Sequence, residues 1–280
     1  MPNLTNYHSH CTYCDGRAPM EEFVQAAVAE GFTAYGISSH APLPFYAAHA
    51  MVLEDVPAYL QEIEALKKKY AGQIELYAGM EIDYLDDTEN PANDYFQSLP
   101  LDYRIGSVHH LYDARGEVVD ADTSPDNFRH IVDRHYDGDI RRVVTEYYER
   151  LMRMVSLGGF DMVGHADKIS MNASIYRPGI TEEPWYKSMI GDYFAHIAKS
   201  GVMVEINTKA YERNGFFFPN REHFGLLKAL HIPLVVNSDA HRPYLINAGR
   251  KEALRALRET GIETVMELTG SQWHAVPIVL

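Results

Sequence analysis

Short apolar runs alternating with amphipathic helical stretches predict an α/β protein whose parallel sheet closes into a TIM-like barrel. Three observations carry this expectation. The runs are brief and apolar, as strands covered on both faces are. Roughly eight strand–helix units fit the 280 residues, and no repeat, Pro/Ser linker or low-complexity tract divides them, so residues 1–280 read as a single domain. A His, Glu, Asn or Asp lies in or just after nearly every strand. In a barrel the residues just past strand C-termini gather at one mouth, whereas an open doubly wound sheet spreads them along a line. Ligand-type side chains at those ends therefore favour closure.

The elements follow in order. Residues 3–7 read as the first strand and lead into His8-Ser-His10. Side chains on an extended backbone alternate with period two, so both imidazoles point to one side and suit a divalent cation. Residues 19–31 predict a helix, with Pro19 at its start, Phe23, Ala27 and Val28 on one face, and Gly31 at its end. Residues 33–38 form a buried strand that ends at His40. Residues 57–70 are amphipathic through Leu60, Ile63 and Leu66, with Lys67, Lys68 and Lys69 at the negative end of the helix dipole. Residues 74–84 read as one strand carrying Glu81, and residues 102–108 as another ending at His109.

Residues 140–157 give the clearest helix, with Val144, Tyr147, Leu151 and Val155 on one stripe and Gly158-Gly159 as its stop. Residues 160–164 form a short strand before His165. A helix over 185–199 precedes a strand over 202–206 that leads into Asn207. A helix over 221–230 precedes a strand over 232–236 that leads into Asn237-Ser-Asp-Ala-His241. A helix over 250–260, capped by Gly261, and a last strand over 263–267 complete the chain.

Composition narrows the function. Hydrophobic residues make up 46% and charged residues 23%, as in ordinary globular proteins. No apolar run is long enough to span a bilayer and the N-terminus lacks a secretion-signal pattern, so no membrane contact and a cytoplasmic location are expected. The net charge of −14, from 25 basic and 39 acidic residues, argues against nucleic-acid binding. It leaves room for a small anionic substrate, because bound metals and a few local cations invert the field inside a pocket. Cys11 and Cys14 are too few for a disulfide framework and lack the second pair a structural zinc site needs. They read as two semi-buried thiols in a ligand-bearing loop.

The 14 histidines are the compositional anomaly. Singly, each motif has an ordinary explanation: His40 as a core or capping residue, Lys168 as a solvated charge. Glu81 is harder to dismiss, because a carboxylate inside an apolar strand needs a cation or metal. Asp83, on the same face, is the second choice for that role. His109 and His110 face opposite ways on a strand, and His109 is taken as the inward one. Together, His8, His10, His40, Glu81, His109, His165, Asn207, Asp239 and His241 come from successive strand ends, which coincidence does not readily produce. His49, His130, His135, His196, His223, His231 and His274 lack such placement and read as surface or packing residues. So many N/O ligands exceed what one zinc takes, and a multinuclear site with a bridging carboxylate such as Glu81 uses them better. Mixed imidazole and carboxylate ligation fits Zn²⁺, Mn²⁺ or Fe²⁺.

These motifs, His8-x-His10, Ser-x-His40, Gly-x-Glu81, Gly-Ser-Val-His109, Gly-His165-x-Asp and Ser-Asp239-Ala-His241, resemble the PHP (polymerase and histidinol phosphatase) family along essentially the whole chain. The opening His-Ser-His-Cys-Thr-Tyr-Cys-Asp-Gly, the Ser-His-Ala-Pro-Leu-Pro segment and Glu205-Ile-Asn-Thr208 look most like its histidinol-phosphate phosphatase branch. The resemblance implies a distorted (β/α)7 barrel with three divalent ions. It assigns His8, His10, Glu81 and Asp239 to the first ion, with Glu81 bridging to a second completed by His109 and His165. It gives His40 and His241 to the third, together with a residue from the loop after His10. Some relatives carry a histidine there; in this sequence the acceptable ligand is Asp15, before Gly16.

The activity expected is hydrolysis of a phosphate monoester, L-histidinol phosphate, to L-histidinol and phosphate, with hydroxide from metal-bound water as nucleophile. Lys168, Lys209 and Arg213 are the candidate phosphate-binding cations. The branch tends to place an arginine after its Asn-Thr motif, whereas here Lys209 comes first and Arg213 later. The loop 42–56, with Phe45, Tyr46 and His49, reads as a cover for the substrate or as a long surface connection. Two alternatives stay open: a PHP phosphoesterase for a nucleotide or another small ester, and a non-catalytic, metal-stabilised accessory module. The acidic balance and the lack of a polymerase region speak against the second.

Overall fold

A computed structural model describes residues 3–280. The strands are β1 (Thr5–Asn6), β2 (Ala34–Ile37), β3 (Glu75–Ala78), β4 (Glu81–Asp83), β5 (Ile105–Ser107), β6 (His110–Tyr112), β7 (Val118–Asp120), β8 (Met162–Val163), β9 (Met203–Asn207), β10 (Leu234–Asn237), β11 (Thr264–Thr269) and β12 (Gln272–Pro277). Parallel pairing runs β1-β2-β3 in one sheet and β4-β5-β8-β9-β10 in a second. Isolated parallel bridges, His40 with Glu81 and Ser9 with Ala240, join the two sheets at both seams. With β3 and β4 counted as one bent strand, the result is a distorted (β/α)7 barrel. The architecture is the TIM-like one expected, with seven parallel strands where about eight units were read.

The strand expected over 74–84 is split. Glycine at 79 is required because the Tyr103 ring crosses the barrel there: a Cβ on Gly79 or Gly36 would meet it at 2.2 Å. The Gly79 amide donates to the Ile37 carbonyl at 2.8 Å, and after this kink Glu81 donates from its amide to the Ser39 carbonyl at 3.2 Å. The kink moves Glu81 onto the seam between the sheets. The final strand is also different from expectation. β11 pairs antiparallel with β12 in a hairpin, so it is no part of the barrel wall. Tyr7, Tyr103, Met162 and Leu268 pack together with Trp273 beneath the strands, which closes the floor.

Helices cover the outside. Met20–Glu30, Val56–Lys69, Ile140–Leu157, Pro184–Ser200 and Arg250–Thr260 fall where periodicity placed them. Their apolar stripes bury residues such as Phe23, Ile63, Tyr147, Leu151, Phe194 and Leu257. The helix expected over 221–230 begins as a 3-10 turn, Arg221–His223, and continues as Phe224–Ala229. Four helices and a hairpin lay outside the expectations, two of the helices short, Asp94–Ser98 and Tyr211–Asn214. Pro125–His135 starts at a Ser124 cap, whose hydroxyl accepts from the Asn127 amide at 3.3 Å, with Pro at its first position. Ile169–Tyr176 follows His165, and the β6–β7 hairpin rises at the mouth directly after His109. Among the described residues, no helix is long and apolar enough to cross a membrane.

Candidate metal centre

Six strands deliver their polar side chains to one mouth. His8 and His10 follow β1, His40 follows β2, Glu81 opens β4, His109 follows β5, His165 follows β8, and Asp239 and His241 follow β10. Glu81 sits at the middle. Its Oε2 lies 3.1 Å from His8 Nε2, 3.5 Å from His10 Nε2 and 3.0 Å from His40 Nδ1. Its Oε1 lies 2.8 Å from His165 Nε2 and 3.4 Å from His109 Nε2, and accepts from the Ser107 hydroxyl at 2.7 Å. Asp239 Oδ1 is 3.2 Å from His10 Nε2, and Asp15 Oδ1 is 3.2 Å from His241 Nε2 and 3.8 Å from His40 Nε2.

Glu81 Oε1 is hydrogen-bonded to Ser107 and His165, but several of the other atoms are close without being bonded. His8 Nε2, His10 Nε2, His40 Nδ1, Glu81 Oε2 and Asp15 Oδ1 are buried and have no hydrogen-bond partner among the described residues. Leaving such groups unpaired costs stability, and lone pairs aimed at a shared point rather than at each other are the arrangement that surrounds a cation. The donor set therefore fits divalent metal ions. Four groupings at or beside the mouth have ligand atoms mutually within 4.8 Å: His8, His10 and Asp239; His40, Glu81 and His109; His10, Asp15, His40 and His241; and His49, Asp83 and His110. A separate group on the outside of the hairpin, Asp113, Glu117 and His135, is already bridged by the Arg115 guanidinium.

Partners behind the ligands fix their tautomers. His8 Nδ1 donates to Glu205 Oε1 at 2.6 Å, His109 Nδ1 donates to Asp83 Oδ1 at 2.8 Å, and His241 Nδ1 donates to the Asp239 carbonyl at 3.0 Å. Each bond leaves Nε2 as the lone-pair atom facing inward. Glu205 is also the acceptor for the His165 amide at 2.8 Å and for the side-chain amides of Asn207 and Asn237 at 2.9 and 3.0 Å. Cys14 Sγ lies 3.5 Å from His10 Nδ1, and both cysteines are free thiols. His165 and Asp239 hold left-handed backbone, with φ of 30° and 48°.

The electrostatics follow from burial and crowding. Burial alone would raise the Glu81 carboxyl, but His8, His40 and His109 hold it well below the usual carboxylate range. Burial opposes a charge on His8, yet Glu205, Glu81 and Asp239 raise it well above an ordinary imidazole. Burial and the adjacent His241 push His10 down to about 4, so it is a neutral donor at pH 7.

Above the centre opens a cleft of about 520 Å³, lined by Asp15, His40, His109 and His241 below and by His49, Asp120, Asp122, Lys168 and Lys209 around it. Lys209 Nζ lies 3.2 Å from Asp239 Oδ1, and Lys168 Nζ lies 3.0 Å from Asp122 Oδ2 and over the Phe218 ring. Arg213 does not join them. It is exposed on the short helix Tyr211–Asn214 and is not among the residues that line this cleft.

Other residues were missed. His49, read as surface or packing, lies at the cleft with its ring stacked on His110 at 5.4 Å. His110, expected to face away from His109, is buried all the same, with Nδ1 3.7 Å from Asp83 Oδ1. Asp120 and Asp122 carry no periodic or motif signal and reach the cleft only through the hairpin. Glu205 had a readable signal, a carboxylate inside an apolar strand like Glu81.

Comparison with known proteins points the same way. Residues 6–209 match the PHP domain family. The chain is 26% identical to a probable histidinol-phosphatase of Deinococcus radiodurans over 269 residues, 95% of this chain and 96% of that protein. It is 25% identical to the histidinol-phosphatase of Bacillus subtilis over 84% of this chain and 92% of that one. A Listeria monocytogenes crystal structure, named provisionally as a histidinol phosphatase, shares the fold with a TM-score of 0.80 at 23% identity, covering 89% of this chain and 99% of that one. The Lactococcus lactis histidinol phosphate phosphatase, solved with zinc, L-histidinol and phosphate, superposes with a TM-score of 0.69 at 18% identity over 98% and 100% of the two chains. This chain belongs to the PHP domain family.

Proposed function

We propose that this protein is a metal-dependent phosphatase, one domain over residues 1–280, that hydrolyses L-histidinol phosphate to L-histidinol and phosphate. The observation that carries the metal dependence is the set of buried, unpartnered imidazole nitrogens of His8, His10 and His40 around the equally unpartnered Glu81 Oε2. The substrate follows from the full-length likeness to histidinol-phosphatases, one of them solved with L-histidinol and phosphate. The ligands are His8, His10, Asp15, His40, Glu81, His109, His165, Asp239 and His241. Three ions, of Zn²⁺, Mn²⁺ or Fe²⁺, match their number and their mixed donor type.

Bound divalent ions supply an acidified water for attack on phosphorus and neutralise the phosphoryl oxygens. The chain's own residues do the positioning. Glu205 and Asp83 hold the His8 and His109 rings in the donor tautomer. Lys209 and Lys168 bring positive charge to the cleft wall, where a phosphate dianion takes charge-assisted hydrogen bonds.

The test is phosphate release from L-histidinol phosphate and from a nucleotide panel, run with elemental analysis of the purified protein. Preferred turnover of histidinol phosphate, lost on chelation and restored by one of the three metals, is the expected result. Preferred turnover of a nucleotide, or turnover that survives full chelation, would refute this reading.

A further inference from the structure

The cleft contains a carboxylate that faces the imidazoles of His49, His109 and His110 but pairs with no lysine or arginine among the described residues. Lys168 is neutralised by Asp122 at 3.0 Å and Lys209 by Asp239 at 3.2 Å. Asp120 lines the same cleft, yet among the described residues no cation pairs with it. It is exposed at the mouth, where a ligand can reach it. Its position is also fixed. Asp120 ends β7 directly across from the 4%-exposed His110, and the next residue, Ala121, donates its amide to the His109 carbonyl at 2.7 Å. Its Oδ1 accepts from the Asp122 amide at 2.9 Å, which anchors the carboxylate and leaves Oδ2 free of partners among the described residues. The hairpin thus holds one negative group against the edge of the metal centre, on the wall opposite no resident cation.

We propose that Asp120 is a specificity-determining residue whose carboxylate receives the ammonium group of the substrate's alcohol half. The inference rests on the phosphatase reading and adds the feature of the ester that is recognised. In L-histidinol phosphate the ammonium sits on the carbon next to the one bearing the ester oxygen. A phosphate seated over the metal ligands and the lysines therefore brings a positive charge within a few ångströms, on the side away from the phosphoryl group. A carboxylate with Asp122 beside it gains from such a cation, and an ester of an uncharged alcohol leaves it unbalanced. Discrimination then comes from an unpaired site group as much as from a new bond.

Asp120→Asn keeps an oxygen to accept the Asp122 amide and removes the charge. The ratio of kcat/KM for L-histidinol phosphate to that for 4-nitrophenyl phosphate should fall about tenfold or more, chiefly through KM. L-histidinol, tested as an inhibitor of 4-nitrophenyl phosphate turnover, should weaken by a similar factor. Asp120→Glu should restore part of both effects. A ratio within about twofold of the parent, or a parallel loss on both esters, overturns the role of Asp120. If the parent enzyme turned over 4-nitrophenyl phosphate and not histidinol phosphate, the substrate reading would fall on its own. L-histidinol inhibition would still decide Asp120, unchanged inhibition in Asp120→Asn, or none in the parent, counting against it.

Discussion

The deep and outer parts of the centre are built by different means. His8, Glu81, His165 and Asp239 are at most 3% exposed and rise from strands or the first residues beyond them. The Asp15, His241 and His40 side chains are 29%, 18% and 9% exposed, and Asp15 comes from a loop. That loop folds back so tightly that a Cβ on Gly16 would meet the His10 carbonyl at 2.2 Å. Carboxylates stand behind two of the buried ligands, Glu205 behind His8 and Asp83 behind His109, whereas the equally buried His10 has a thiol and the part-exposed His241 a backbone carbonyl. Rigid strands and charged supports would give the deep ligands the firmer hold on a divalent ion, and the outer ligands, which depend on a loop, the weaker one.

The largest expected effect tests the core of that contrast. Glu81→Ala removes the group that faces both sides and should lower phosphatase activity on the order of a thousandfold or more. It should also reduce bound metal in elemental analysis; near-normal turnover in a metal-replete sample would place Glu81 outside the centre. Next, Glu205→Gln and Asp83→Asn should each weaken metal affinity roughly 10–100-fold, read by chelator competition, with the fold intact by circular dichroism. Equal affinity to the parent would mean that these carboxylates only fill space.

Asp15→Asn sharpens the comparison from the other side. Mild chelation should strip one ion from this variant before the others, and the parent should lose the same ion first at higher chelator concentration. Simultaneous loss of all ions would erase the distinction between deep and outer sites. Smaller still, Lys209→Ala should raise KM for the phosphate ester about tenfold, and Arg213→Ala should leave it within about twofold. The reverse pattern would return the phosphate clamp to Arg213.

Acid stability offers a last and weaker probe. His10 in the fold takes a proton only near pH 4, against 6.5 for an ordinary imidazole. Between these values the unfolded chain binds more protons, so the stability contributed by neutral His10 is complete above pH 6.5 and is lost as pH falls toward 4. In chelated protein, His10→Asn should flatten that loss by about 3 kcal/mol, measured by urea unfolding at pH 7 and pH 4. An unchanged slope would show that His10 is not held neutral.

How much of this could be read from the sequence depended on the range of the interactions involved. Alternating apolar runs and clean helix stops such as Gly31, Gly158 and Gly261 place most wall strands and five of the covering helices, because those signals are local. Ligand residues are legible because a His or Glu at an apolar strand end is itself unusual. What stayed hidden depends on distant partners. The break at Gly79 arises from a tyrosine 24 positions later, and the β6–β7 hairpin reads as a loop until its two short edges pair. Asp120 and His49 reach the cleft through that hairpin and through a long connection, so no spacing rule finds them. Nearness to Asn207 in the chain puts Arg213 forward, but the short helix Tyr211–Asn214 leaves it exposed and outside the cleft lining, a placement that chain distance does not show.

Tyr103, lodged across the strands between Gly36 and Gly79, has a consequence for turnover. With the C-terminal hairpin packed below it, this cluster plugs the barrel floor among the described residues. In a phosphatase so built, alcohol and inorganic phosphate would depart through the doorway by which the next ester arrives, so whichever fragment lingers nearer the entrance should shut out the newcomer, and product build-up should inhibit competitively.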